Sequence, residues 1–200
     1  LGSAIIVIRY KDTAIAFSGD LGNPPVPLLN PFDIPENIMY VVAESTYGDR
    51  AHEMGEERRI KLERTLEDIH ARGGVLLIPS FAMERTQELL YEINDLDEHH
   101  RIPRMPIFLD SPLAIKATRA FQQFESYFNK EALRQISSGD DIFAFPGLSL
   151  TERPAESRAI AKTPAPKVII AGSGMSMGGR IRDHEKQYLG LASTIILFIG

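Results

Sequence analysis

Cysteine is absent from the 200 residues, which excludes a disulfide framework and any thiolate-bound metal and leaves histidine and carboxylate side chains as the good transition-metal ligands. A reducing, cytoplasmic setting fits that composition. No apolar run approaches the roughly 20 residues that span a bilayer, and the start carries no basic-then-apolar signal, so no membrane segment is expected. Histidines at metal-pair spacing are also lacking: His52, His70, His99, His100 and His184 include no His-x-His string and no i, i+4 pair, and they read as structural or solvated. His184 alone stands apart from the other four, because it closely follows a glycine-rich loop. Repeats and low-complexity tracts are missing. An excess of positive charge is lacking too. The net charge of −5 and pI near 5.6 argue against a broadly basic nucleic-acid binder, yet a local basic rim can surround an acidic centre.

What is present is enough apolar content, 44% with mean hydropathy −0.11, for one core or one and a half. SAIIVIRY and TAIAFSGD alternate apolar residues around Lys11-Asp12-Thr13, which predicts an antiparallel hairpin whose second strand delivers Asp20. The five prolines of LGNPPVPLLNPFDIPEN forbid ladder pairing and predict an ordered surface loop over the sheet, after which IMYVVAEST returns as a buried strand ending at Glu44. From about Arg50 the texture changes to helices alternating with short apolar strands, the pattern of a parallel α/β sheet, so a domain boundary is expected there. Helices are predicted from about Glu53 to Ala71, from Ala82 to Asn94, and from Ser111-Pro112, a hydroxyl cap followed by proline, through Phe124. VLLIPS, PIFLD, KVIIAG and TIILFIG are the strands of this region, and LSLTERPAESRA reads as a connection into a short helix.

Four features can carry chemistry. Asp20, turned by Gly19, and Glu44 each close a strand, where a carboxylate can be aimed into a cleft to meet a divalent cation or a reacting proton; an ordinary turn and a solvated glutamate fit the same pattern. Ligands of open α/β sheets bind outside the carboxyl ends of strands, which makes Ser80, Asp110, Ser111 and Ser173 candidates by position. AGSGMSMGGR, with Gly172, Gly174 and Gly178, can cradle a phosphate on backbone N–H groups, or can be a tight turn with no ligand. Its spacing fits neither the dinucleotide fingerprint nor the P-loop. Arg85, in the first turns of a helix, could grip a phosphodiester or pair with Glu84 or Glu88, and Arg180 and Arg182 could form a basic rim or a solvated helix face.

The strings FSGDLG, AESTYGDRAHE, LLIPSFAMERTQELL, LDSPLAIKAT and VIIAGSGMSMGGRIRDH occur in that order. Together they resemble the β-CASP branch of the metallo-β-lactamase-fold RNA-processing nucleases, the group of ribonuclease J and of the endonuclease of pre-mRNA 3′-end processing, over nearly the whole chain. The resemblance implies an α/β fold: residues 1–50 form the edge of an αβ/βα metallo-β-lactamase core, and residues 51–200 an inserted β-CASP cap domain, both incomplete. The family's His-x-His-x-Asp-His string is missing, so the chain reads as a central piece that would be inactive by itself. By resemblance the complete enzyme hydrolyses RNA phosphodiester bonds with two zinc ions. Asp20 would bridge them, and Glu44 would hold a downstream histidine that protonates the leaving oxygen. Ser80, Arg85, Ser173, Gly174 and Arg180 would contact single-stranded RNA in the cleft between cap and core, and a second copy of the chain is a candidate partner. The competing reading is a non-catalytic cap that binds RNA or a protein. A small-molecule hydrolase of the same core fold is disfavoured by the large insertion after Glu44.

Overall fold

The computed structural model describes residues 1–22, 26–49 and 55–199, so the expected boundary at Arg50, the helix start at Glu53 and His52 lie outside the described residues. The predicted hairpin forms: β1 (Ile6–Tyr10) and β2 (Thr13–Phe17) pair antiparallel around Lys11. β3 (Tyr40–Val42) joins β2 in parallel, with Phe17 opposite Val42, so β2 and β3 end side by side. β3 corrects the expectation of a buried strand. It is the edge of its three-stranded sheet, and Val41 is 65% exposed; apolar composition does not reveal whether an edge has a cover.

The proline-rich segment is also corrected. Its middle leaves the first sheet, Leu28 being fully buried in the core of the second and Leu29 forming an antiparallel bridge with Phe128, while its end does lie at the first sheet, Arg9 of β1 donating to the Glu36 and Asn37 carbonyls. Two asparagines support it: Asn129 Nδ2 donates to the Pro27 carbonyl and Asn30 Nδ2 to the Phe128 carbonyl, each at 2.7 Å. Amide side chains thus satisfy backbone where proline offers no N–H.

The second unit runs α1 (Gly55–Arg72), β4 (Val75–Pro79), α2 (Arg85–Glu98), β5 (Ile107–Asp110), α3 (Pro112–Phe121), α4 (Lys130–Ser137), β6 (Leu148–Leu150), α5 (Pro154–Ala159), β7 (Lys167–Ala171), α6 (Ile181–Tyr188) and β8 (Thr194–Ile196). All five strands are parallel, in the order β6-β5-β7-β4-β8. Every residue of β4 and β7 is buried, as expected of central strands with helices on both faces. Leu66, Ile69, Leu90 and Ile93 pack on one face, and Ile160, Ile181 and Tyr188 on the other.

The α3 start follows the prediction, with Ser111 Oγ accepting the Ala114 N–H at 3.3 Å and proline in the first turn. Three boundaries differ, since α2 also runs on to Glu98 rather than ending at Asn94. α2 begins at Arg85 rather than Ala82 because residues 82–84 form a turn, closed by Glu84 at φ 66°, and α3 stops at Phe121, short of Phe124. β6 and α4 are additional elements. Among the described residues no helix is long and apolar enough to cross a membrane.

Candidate functional site

Parallel strands place all their carboxyl ends along one edge, and at that edge lies Asp110, the last residue of β5 and completely buried. Its Oδ1 accepts from Thr151 Oγ1 and from Arg180 Nη1, both at 2.7 Å, and its Oδ2 from Ser157 Oγ at 2.6 Å and His184 Nε2 at 2.7 Å. Burial pushes the carboxyl upward, but the bonds from His184, Ser157, Thr151 and Arg180 outweigh it and bring the pKa down to about 2. An ionised carboxylate only accepts, so His184 carries its hydrogen on Nε2. Of the two readings offered for His184, structural or solvated, the structural one holds: it is buried and stacked on Tyr188. Arg180 also donates to the Thr151 carbonyl at 2.9 Å and the Glu152 carbonyl at 2.7 Å, leaving its side chain 21% exposed.

The glycine loop between β7 and α6 closes on itself, the Ser173 N–H donating to the Gly178 carbonyl at 3.1 Å and the Ile181 N–H to the Gly172 carbonyl at 3.0 Å. Gly174 lies flat on Phe81, where a β-carbon would come 2.5 Å from the ring, so no other residue fits without moving one of them. Met175 and Met177 project outward, Met177 being 79% exposed. The Ser173 hydroxyl is buried and has no hydrogen-bond partner among the described residues. Ser80, by contrast, is buried and spent internally, sharing a 2.8 Å hydrogen bond with Thr86 Oγ1. Arg85 pairs with Glu88 at 3.1 Å and keeps its side chain 32% exposed.

On the first sheet, Gly19 at φ 57° turns the chain out of β2. Asp20 is fastened there by its N–H, which donates to Ser3 Oγ at 3.0 Å. Glu44 folds back on its own turn, Oε2 accepting the Thr46 N–H at 2.8 Å, and that bond lowers its pKa. The 81–84 loop connects this corner to the other edge: Met83 sits where a side chain on Gly2 would be, Glu84 reaches the neighbourhood of Gly22, and Phe81 underlies Gly174.

The test for a metal is the donor set. No group of three or more His, Asp or Glu side chains that could hold an ion exists among the described residues, so among them Asp20 does not complete a metal centre.

The structure thus brings Ser173 and Gly174 to one loop, ties Arg180 to Asp110, and sets Ser80 and Arg85 at the two ends of the 81–84 turn. Sequence reasoning missed Thr151, Ser157 and Ser18. Serine and threonine near turns are too common to stand out, although a polar residue just past a strand carried the positional signal for Thr151.

A parallel five-stranded α/β unit with loops gathered at its carboxyl edge narrows the class, and residues 86–200 match the Beta-Casp domain family. The chain belongs to the β-CASP family. It is 38% identical over 199 residues to ribonuclease TTHA0252 of Thermus thermophilus, covering 100% of this chain and 46% of that protein. It is 26% identical over 206 residues to endoribonuclease YSH1 of Kluyveromyces lactis and 31% over 209 residues to transcription termination factor FttA of Pyrococcus horikoshii, covering 100% of this chain in both and 26% and 31% of those proteins. The chain spans less than half the length of these relatives.

Proposed function

We propose that this chain is the RNA-handling part of a metal-dependent ribonuclease that hydrolyses phosphodiester bonds of single-stranded RNA, with zinc as its metal. The observation that carries the proposal is the 81–84 loop, which touches both the corner holding Asp20 and the glycine loop holding Ser173 and Gly174, so that one polymer can span the two. The named relatives, a ribonuclease and an endoribonuclease, support the same chemistry.

In this reading the unpartnered Ser173 hydroxyl and the backbone at Gly174 receive a phosphate, and Arg85 adds positive charge at the rim. Ser80 and Arg180 act from behind, holding the turn and the loop. Asp20 contributes one carboxylate to the metal set, the other donors coming from segments outside these 200 residues. Zinc, when bound, activates water and stabilises the developing charge. Glu44 orients a proton-transferring partner, also from outside the chain.

End-labelled single-stranded RNA incubated with the complete protein and with its Asp20→Ala variant tests the proposal. Zinc-dependent products that vanish in the variant, with RNA still bound, are expected. RNA that is bound but never cut by the unaltered protein would instead establish a binding module.

A further inference from the structure

We infer that Asp110 is a positioning residue for substrate, acting through Arg180 and His184 to hold the glycine loop in place; the inference rests on the proposal that this loop receives RNA. The loop is secured differently at its two ends. Its entry is β7, hydrogen-bonded between β4 and β5 in the middle of the sheet. Its exit has no strand to hold it, and Arg180 and His184 both end on the Asp110 carboxylate. Between those anchors the loop is held by its own backbone hydrogen bonds and by Gly174 resting on Phe81, while Met175 and Met177 face solvent.

Stability is a poor reason for such an arrangement. A buried ion pair contributes little over a well-packed apolar replacement, because desolvating two charges consumes most of their attraction. What four charge-assisted hydrogen bonds supply is direction. The carboxylate's two oxygens each take two donors, and the guanidinium that reaches Oδ1 also reaches two carbonyls at the end of β6. Asp110 therefore locks the ends of β5 and β6 and the start of α6 into one arrangement. With three of its five N–H groups so engaged, Arg180 is held in one orientation while the lock is closed. Its inferred contribution is the position of Ser173 and Gly174.

The experiment is steady-state RNA cleavage by the complete protein carrying Asp110→Asn, His184→Phe or His184→Gln. An asparagine turns two acceptor positions into donors and breaks the lock, while glutamine can present an N–H near the place of His184 Nε2. KM is expected to rise about tenfold in Asp110→Asn and His184→Phe with kcat changed by less than about threefold, and glutamine to restore most of the loss. Thr151→Val, which removes one bond of the four, serves if the stronger variants do not fold, with a KM rise of about threefold expected. Leu109→Ala, a core truncation beside Asp110, controls for destabilisation and is expected to leave KM unaltered below its melting temperature. An unchanged KM in the folded Asp110 and His184 variants, or in Thr151→Val where it stands in for them, or a rise of the same size in Leu109→Ala, overturns the inference. If the unaltered protein binds RNA without cutting it, Kd replaces KM and only the hydrolytic proposal falls. If it neither binds nor cuts, both fall.

Discussion

The main-chain N–H of Glu44 donates to the hydroxyl of Ser18 at 3.1 Å, so one small side chain joins the ends of β2 and β3. Ser18 is well placed for this, since its own N–H donates to the Val42 carbonyl at 2.9 Å and its Oγ donates to the Gly19 carbonyl at 2.7 Å. The parallel register continues by one step beyond the strands, and the Asp20 and Glu44 corners are thereby held as neighbours.

Ser18→Ala leaves that amide without its acceptor. The expected cost is about 1 kcal/mol of stability. In the complete protein kcat is expected to fall while RNA affinity holds, and Ser18→Thr to recover most of the loss. Single-turnover cleavage beside a direct binding titration checks this, and an unaltered kcat in the alanine variant would remove any role for the Ser18 tie in placing the acidic corner.

Gly174→Ala pushes a methyl group into the Phe81 ring, 2.5 Å from its intended position. The loop is expected to lift off the 81–84 turn, weakening RNA binding about tenfold with little change in melting temperature. Phe81→Ala added to Gly174→Ala gives the methyl room and is expected to return part of the affinity, so that the pair is non-additive in a double-mutant cycle. Wild-type affinity in the single variant would show that the loop needs no support from Phe81.

Glu92 faces α1 from the partly buried side of α2, where burial, then Glu88, raises its carboxyl from 4.5 to about 7, despite Arg58 and Arg59 nearby. Between about pH 4.5 and 7 the folded protein holds a proton that the unfolded chain has released, so stability declines as pH rises through that window and levels off above it. Glu92→Gln is expected to flatten the decline and to stabilise the protein by about 1–3 kcal/mol at alkaline pH. Urea unfolding at a series of pH values is the measurement, and an undiminished slope in the variant would assign the decline elsewhere.

Asp110 has the opposite sign. Its carboxyl is brought from 3.8 down to about 2 by its four donors against the opposing effect of burial, so its contribution is fully present above about pH 4 and is lost as pH falls through about 2. Asp110→Ala, which leaves Arg180 and His184 without an acceptor, is expected to cost about 3–5 kcal/mol near neutral pH, more than the isosteric Asp110→Asn. Acid unfolding followed by circular dichroism should show a shallower limb for both variants, and an unchanged limb would mean that Asp110 is not ionised in the fold.

Much of the architecture follows from local pattern. β4, β5 and β7 are short apolar runs closed by Pro79-Ser80, Asp110-Ser111 and Gly172, and Ser111-Pro112 marks the start of α3 because capping is a property of adjacent residues. The ordered strings carried the family, and the carboxyl-edge rule pointed to Asp110. β6 was not legible, since three residues, Leu148–Leu150, are too few to show a period. The fate of the proline segment was not legible either, because Leu28 and Leu29 are apolar whichever unit they pack against.

Partners at the site lay beyond any local pattern. Arg180 and His184 stand 70 and 74 residues from Asp110, and only the order β6-β5-β7 carries the end of one crossover to the end of another strand. A basic residue after a glycine loop has the same local chemistry whether it meets a phosphate or a buried aspartate. By itself the sequence determined all of the strands but β6, their turns, the family and the strand ends where chemistry could sit; the tertiary structure alone decided which charge meets which, because a hydrogen bond of 2.7 Å depends on distances that the pattern of neighbouring residues does not encode.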